Sequence, residues 1–509
     1  MGMKRYLNQI TAAEAIRIVR GIRPVNAVYA MPVTDAVGQV LAESLYAQYA
    51  VPEVAVAAMD GFAIRAAETS GASEQRPVVL RSFVRVNTGN VVPKDFDAVV
   101  RVEDAWFEEG DSVGEISVRK SVNPATNVRQ PGEDVKEGQL ILPAGAVIRP
   151  FDVGAIAAYG ITHVRVRLVR VGILPTGTEL VEPGEKPVPG QVVESNTMMA
   201  EAYLRQFGVK VTRYAPVEDN PVLIRGALER VAAESDVIIV SAGSSAGTKD
   251  FTATVIGEMG NLIFHGVAMK PAKPAMFGMI GKKPVFGLPG YPLSAQTVLR
   301  LFVSELLEAW GWKGPERRMV TVRLGDSISS EGGIDEYSLQ AVGRVGDHYS
   351  AIPQSRGASV QMTGVRANAI VQIPHGVEGY EAGEEVAAVL TVPKAELDRT
   401  VLVAGVYDSA LEPLMEMAMR EGIRIRFGSF SGISGVMLLL KRSCHVACVT
   451  EEEDLMPLAG RQYVTVRLGE RVRMVVWRSG LEEPLVGRVV RIAESKEFRD
   501  LPARGGKGI

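Results

Sequence analysis

Apolar residues run unbroken from Val237 to Val240, between Asp236 and a loop of small residues at 241–248. Such a run suits a strand buried on both faces of a parallel sheet. The stretch around it alternates strand and helix patterns. Residues 169–174 read as a strand entering the turn 175–179, and 197–207 as a helix with Asn196 as its cap and Gly208 as its stop. Residues 209–214 read as a strand, and Asn220 caps a helix that has Pro221 at its first position. The order strand, helix, strand, helix, strand predicts a parallel sheet with ligands at the carboxyl ends of its strands.

The rest of the chain divides by texture. Residues 11–23 read as a helix with a capping box, Thr11 and Glu14, stopped by Pro24. A shorter helix is expected over 34–42. From about 45 to 132 short β-rich runs alternate with Gly, Asp and Asn, as in a small all-β unit. Residues 150–158 predict a helix. Residues 164–174 read as a long apolar-basic strand, resuming a chain that the β-rich unit interrupts as an insertion. One long helix is expected from Pro292 to near Trp312, and a second set of short strands over 318–392. Beyond a linker at 393–398, strands at 400–404 and 423–427 and helices at 409–421 and 437–441 form a fresh α/β segment.

With 509 residues the chain exceeds one hydrophobic core. Its 47% apolar and 23% charged residues are ordinary for a globular protein, and a net charge of −3 gives no reason to expect nucleic acid or a membrane surface as partner. No apolar run approaches a membrane span, and residues 1–19 lack the apolar core of a signal peptide, so the cytoplasm is expected.

The candidate chemistry sits at strand ends and Gly-rich turns: Asp60, Thr88, Asp134, Glu179, Asp219, Ser241, Asp250, Lys270, Lys273 and Ser294. Carboxylates beside a phosphate repel it unless a divalent cation lies between them, and lysines suit a tetrahedral oxyanion. Acids together with lysines point to phosphoryl or nucleotidyl chemistry with Mg²⁺. Neither a Walker A motif nor GxGxxG is present. Taken alone, Asp60-Gly61 and Thr88-Gly89 read as ordinary turn residues.

Five stretches, in order, resemble the molybdopterin molybdenumtransferase family, which includes the gephyrin E domain. They are AMDGFAIR at 58–65, TGNVVPKDFDAVV at 88–100, residues 129–134, TGTEL at 176–180, and the set 241–251, 270–274 and 287–295. The resemblance spans about 7–392. It implies insertion of molybdate (or tungstate) into adenylyl-molybdopterin with release of AMP, a Mg²⁺ requirement, and a molybdopterin adenylyltransferase as pathway partner. It also implies an elongated homodimer whose active site is shared across subunits, with Asp60 and Thr88 acting in trans. Asp60, Thr88, Asp134, Glu179 and Asp250 match the family's catalytic positions, with Glu179 and Asp250 as metal ligands. Lys270, Lys273, Pro274, Ser294 and Ser355 match its oxyanion pocket. Ser241, Gly243, Ser244 and Ser245 fall in the pterin-phosphate loop, and Pro289 and Pro292 shape the adjoining turn. The sequence departs from the family at Ala242, at Ala272 between the two lysines, and at Ile334, where an oxyanion-holding Arg is usual; Arg356 is the candidate substitute. The runner-up reading is a catalytically weakened paralogue that binds molybdopterin in a regulatory role.

The expected fold class is multidomain α/β plus β. A linker and dimerisation domain covers 1–45 and 133–168, and an inserted β-rich domain 46–132. An α/β molybdopterin-binding domain with a parallel-rich sheet covers 169–314, and a β-barrel-like domain 315–393. The tail, 399–509, resembles a periplasmic-binding-type domain shortened to one lobe, through 406–408, 428–435, Ala447, 472–480 and 494–499. Cys444-His445-Val446-Ala447-Cys448 offers three metal-ligand types but no fourth ligand, and reads as a buried strand.

Overall fold

The computed structural model describes residues 9–25, 27–107, 114–242, 251–355, 357–468, 472–478 and 483–500. The chain forms two compact units, one of residues 1–25 with 169–509 and one of residues 26–168.

In the first unit, Arg170–Thr176, Val237–Ala242 and Lys283–Pro289 lie side by side in parallel. Lys210–Arg213 extends this six-stranded sheet at one edge, while Met276–Ile280 and Asn261–His265 add antiparallel strands at the other. The unbroken apolar run has the reason expected of it. Successive side chains point to opposite faces, so Val237 and Ile239 enter one core and Ile238 and Val240 the other. Helix Pro221–Glu234 opens as read, with the Asn220 side chain accepting the N–H groups of Val222 and Leu223. Thr11 accepts the Glu14 N–H at the start of Ala12–Arg20, which packs on this same body.

A barrel follows. Strands Asp335–Val345, His348–Pro353, Met319–Leu324, Glu385–Leu390 and Ala369–Ile373 pair in turn, and the last returns to the first, leaving no free edge within the ring. The tail is a five-stranded sheet with Thr400–Gly405 flanked in parallel by Arg424–Ser429 and Val446–Val449. Helices Leu411–Arg420 and Pro484–Glu494 cover one face. On the other, helix Gly432–Leu440 and the barrel share a core in which Ala341 and Ile352 meet Leu402, Val436 and Leu438.

The second unit is built from short strands. Gly61–Ile64 pairs with Val84–Val86 and Ala98–Arg101, and His163–Arg167 with Val28–Pro32. Phe62 anchors its β-rich core, with Phe83 and Phe107 edge-on at 5.4 and 5.0 Å. A Cβ on Gly61 would stand 1.9 Å from the Val100 carbonyl oxygen, so the strand pair requires glycine there.

Three expectations change. The strand expected over 164–174 is two strands. His163–Arg167 alternates exposed and buried residues, whereas Arg170–Thr176 is buried almost throughout. The helix expected over 34–42 is a single 3-10 turn, Val33–Asp35. Gly38 then adopts φ +81°, and the Leu41 N–H bonds to Ala146 O instead of continuing a helix. The helix beginning at Pro292 is interrupted by a π-turn, Leu299–Val303, before continuing as Ser304–Ala309.

Candidate functional site

The three parallel strands end in register: Thr176 lies opposite Ala242, and Ala242 opposite Pro289. Their carboxyl ends form the floor of a cleft of about 1040 Å³, large enough for a ligand of dinucleotide size. The cleft gathers nine of the sequence-derived residues. Glu179 and Ser241 come from the first two strand ends, and Lys270, Lys273 and Pro274 from the next turn. Pro289, Pro292 and Ser294 come from the third strand end and its helix, and Ser355 from the barrel. Gly243, Ser244, Ser245, Asp250 and Arg356 lie outside the described residues.

Local structure explains how each group is presented. Pro292 starts the helix Pro292–Val298 and places Ser294, almost fully buried, in its first turn. The two lysines flank a tight turn in which Ala272 sits at φ +81°, a conformation that favours glycine. This gives the Ala272 departure a cost of about 1–2 kcal/mol. The turn is fixed by bonds from the Val267 N–H to Lys273 O at 2.8 Å and from the Ala275 N–H to Ala272 O at 3.0 Å. Thr176 Oγ donates to Ser241 O at 3.4 Å across the floor.

The cleft also holds residues that motif reading passed over. Glu194, buried, accepts the Thr197 N–H at 3.0 Å and the Thr197 hydroxyl, and so caps the helix Asn196–Arg205. Asn196, expected as the cap, lies inside the helix and donates from Nδ2 to Gly290 O at 2.8 Å, tying two cleft walls together. Gln361 Nε2 donates to Ser195 Oγ at 2.8 Å. Where the resemblance places an Arg, Ile334 lines the wall, with Glu331 and Glu336 beside it. Lys270 pairs with Glu336 in strand register and its Nζ lies 3.5 Å from Glu331 Oε1. The cleft lining thus includes two lysines and four carboxylate residues, Glu179, Glu194, Glu331 and Glu336.

Of the remaining candidates, Asp60, Thr88 and Asp134 lie in the second unit and Asp219 in the first. Asp60 Oδ1 accepts the Thr88 N–H at 2.6 Å and the Thr88 hydroxyl at 2.9 Å. These bonds hold the Asp60 carboxyl below the usual carboxylate range. The structure therefore joins Asp60 and Thr88 into one motif from turns 28 positions apart. Asp134 accepts the Tyr159 hydroxyl at 3.1 Å. Asp219 contributes its backbone N–H to Thr178 Oγ.

His445 has a structural role. Its Nδ1 accepts the Leu402 N–H at 2.9 Å, which leaves Nε2–H to donate to Arg344 O at 2.8 Å. Cys444 and Cys448 are free and buried, and no group of three His, Cys, Asp or Glu side chains able to hold a metal occurs among the described residues. Nor does any helix among them have the length and apolarity to cross a membrane.

A cleft at parallel strand ends, lined by two lysines and buried hydroxyls, defines an α/β protein of the ligand-binding class. Comparison with known proteins narrows this class. Residues 10–160 match the MoeA N-terminal region (domain I and II), 172–309 a probable molybdopterin binding domain, and 321–391 the MoeA C-terminal region (domain IV). Molybdopterin molybdenumtransferase 2 of Mycobacterium tuberculosis is 31% identical over 397 residues, covering 72% of this chain and 95% of that one. Molybdopterin molybdenumtransferase of Haemophilus influenzae is 30% identical over 354 residues, covering 63% and 86%. The crystal structure of a molybdopterin biosynthesis MoeA protein from Pyrococcus horikoshii superposes with a TM-score of 0.59 at 30% identity, over 76% of this chain and 100% of that one. The chain belongs to the MoeA family.

Proposed function

We propose that the protein is a molybdopterin molybdenumtransferase, inserting molybdate or tungstate into adenylyl-molybdopterin with release of AMP. The observation that carries this reading is the convergence of Lys270, Lys273, Ser294 and Ser355 in one cleft at the strand ends. The two ammonium groups balance the charge of an oxyanion, and the serine hydroxyls donate hydrogen bonds to it. Pro274, Pro289 and Pro292 fix the backbone around these groups, so little ordering is left to binding. Ser241 in the floor, with Gly243, Ser244 and Ser245 next in the sequence, takes the pterin phosphate. The oxygen donors of Glu179 and Asp250 suit Mg²⁺, which commonly uses one or two carboxylates together with water and phosphate; these residues would hold it, and the ion would supply charge neutralisation of the phosphate.

The reading extends to a cytoplasmic homodimer in which the partner subunit's Asp60 and the partner subunit's Thr88 complete the site. The low Asp60 carboxyl range supports its service as an ionised group. Molybdopterin adenylyltransferase is the pathway partner that supplies the adenylylated substrate. The extra tail is read as a single periplasmic-binding-type lobe.

The test is AMP release from adenylyl-molybdopterin by the purified full chain, with and without molybdate. Molybdate-dependent release, lowered in Lys273→Met and Asp60→Asn, is expected. Absence of molybdate-dependent release by the wild type contradicts the function, and unchanged release in Asp60→Asn contradicts that residue's role.

A further inference from the structure

One place where the C-terminal lobe meets the cleft wall is the short helix Gln361–Arg366. At its N-terminal end, Gln361 lines the cleft and bonds to Ser195, and the Leu293 N–H bonds to Ala358 O at 3.3 Å just before it. In its middle, a Cβ on Gly364 would stand 3.3 Å from Leu293 Cδ2 and from Gln296 Nε2, so the helix lies directly on the helix that carries Ser294. At its C-terminal end the carbonyl groups lack partners within the helix, as at any helix end. Arg426 supplies them. Its Nη1 donates to Arg366 O at 2.8 Å, with longer contacts to Ala367 O at 3.3 Å and Val365 O at 3.4 Å.

Arg426 belongs to the tail strand Arg424–Ser429, and its side chain is only 12% exposed. Nη2 donates to Glu396 Oε1 at 2.6 Å, which aims the guanidinium at the helix end. A second contact comes from Tyr407 of the tail, whose ring lies under the Arg366 guanidinium at 4.8 Å. The tail is held against the barrel by a shared buried core and by bonds from Ser350 Oγ to Ser443 O and from His445 to Arg344 O.

We propose that Arg426, supplied by the C-terminal lobe, is a positioning residue for the oxyanion wall of the cleft, acting through the helix Gln361–Arg366. The lobe is then a structural part of the site, holding the wall that carries Gln361 and abuts Ser294. The proposal rests on the oxyanion reading of the cleft only for its functional consequence.

The experiment compares the full-length wild type with Arg426→Gln, Arg426→Lys and Tyr407→Leu. Amide hydrogen exchange over 361–367 and calorimetric affinity for molybdate are both measured. In Arg426→Gln, exchange over 361–367 rises on the order of tenfold, and molybdate affinity falls about tenfold, with KM rising and kcat little changed. Arg426→Lys, which keeps the charge but not the planar fork, recovers part of both effects. Tyr407→Leu raises exchange at the same helix end by a smaller factor and serves if Arg426→Gln does not fold. Unchanged exchange over 361–367 in folded Arg426→Gln, or in both Arg426→Lys and Tyr407→Leu, overturns the proposal, as does unchanged molybdate affinity where exchange has risen. A wild type that binds no molybdate contradicts the oxyanion reading and leaves the exchange comparison to decide the clamp.

Discussion

If the cleft takes an oxyanion as proposed, removing the charge of Glu331 is expected to tighten molybdate. Its Oε1 lies 3.5 Å from Lys270 Nζ, where it competes with an incoming oxyanion for the same ammonium group. Both side chains are substantially exposed, Glu331 by 76% and Lys270 by 41%, so the pair sits in the range of about 0.2–1 kcal/mol measured for surface ion pairs. At about 1.4 kcal/mol per factor of ten, Glu331→Gln tightens molybdate by roughly 1.5- to 5-fold. The assay is isothermal titration calorimetry at low salt. Raising the salt to roughly 1 M, where the screening length is about 3 Å, shrinks the gain. The gain must also disappear in a Lys270→Met background, since the carboxylate then has no ammonium group to withhold. Unchanged or weaker binding by Glu331→Gln refutes the reasoning, and so does an equal gain in the Lys270→Met background.

Three further outcomes follow from groups in the tail. Gly405 has φ +130°, and a Cβ there would lie 2.1 Å from Cys448 O, so Gly405→Ala destabilises the lobe by about 3 kcal/mol or more; a melting profile identical to wild type contradicts this. Burial pushes the His445 pKa down to about 4 from an ordinary value of about 6.5. The unfolded chain therefore binds the proton more readily. The stability this neutral imidazole secures is fully present above about pH 6.5 and is lost between about pH 6.5 and 4, by about 3 kcal/mol in all. His445→Gln flattens that dependence in denaturant titrations, and an equally steep dependence in the variant contradicts the assignment. Burial pushes the Cys448 thiol up to about 12 and the Cys444 thiol up as well, the latter with help from Cys448. Neither reacts with a thiol reagent at pH 8 until the protein unfolds, and labelling of the folded protein contradicts that.

The legible parts of the fold are those in which one local rule decides. The run from Val237 to Val240 has no polar face to mislead, so burial on both sides follows from its composition. Asn220-Pro221 announces a helix start because the cap and the proline agree. Asn196 misled for the opposite reason. Glu194 competed for the cap two residues earlier, and only the approach of Gly290 gives Asn196 its partner. The 34–42 stretch has a plausible helical composition, but Gly38 at positive φ and pairing with Ala146 and Ile148 override it.

The site shows the same division. Lys270, Lys273, Ser294 and Glu179 were legible because they stand at strand ends or rigid turns within recognisable motifs. Glu194, Gln361, Glu331 and Glu336 enter the cleft through tertiary packing, and no local spacing signals them. Arg426 is the extreme case. It lies 60 positions from the carbonyl it holds most closely, on a strand whose sequence announces only a sheet.

The most direct test of the oxyanion site is the anomalous signal of molybdenum in crystals of the full chain grown with molybdate. The account predicts a peak within hydrogen-bonding distance of Lys270 or Lys273 together with Ser294 or Ser355. A peak confined to another part of the chain, or a cleft that stays without molybdenum at saturating molybdate, would contradict it.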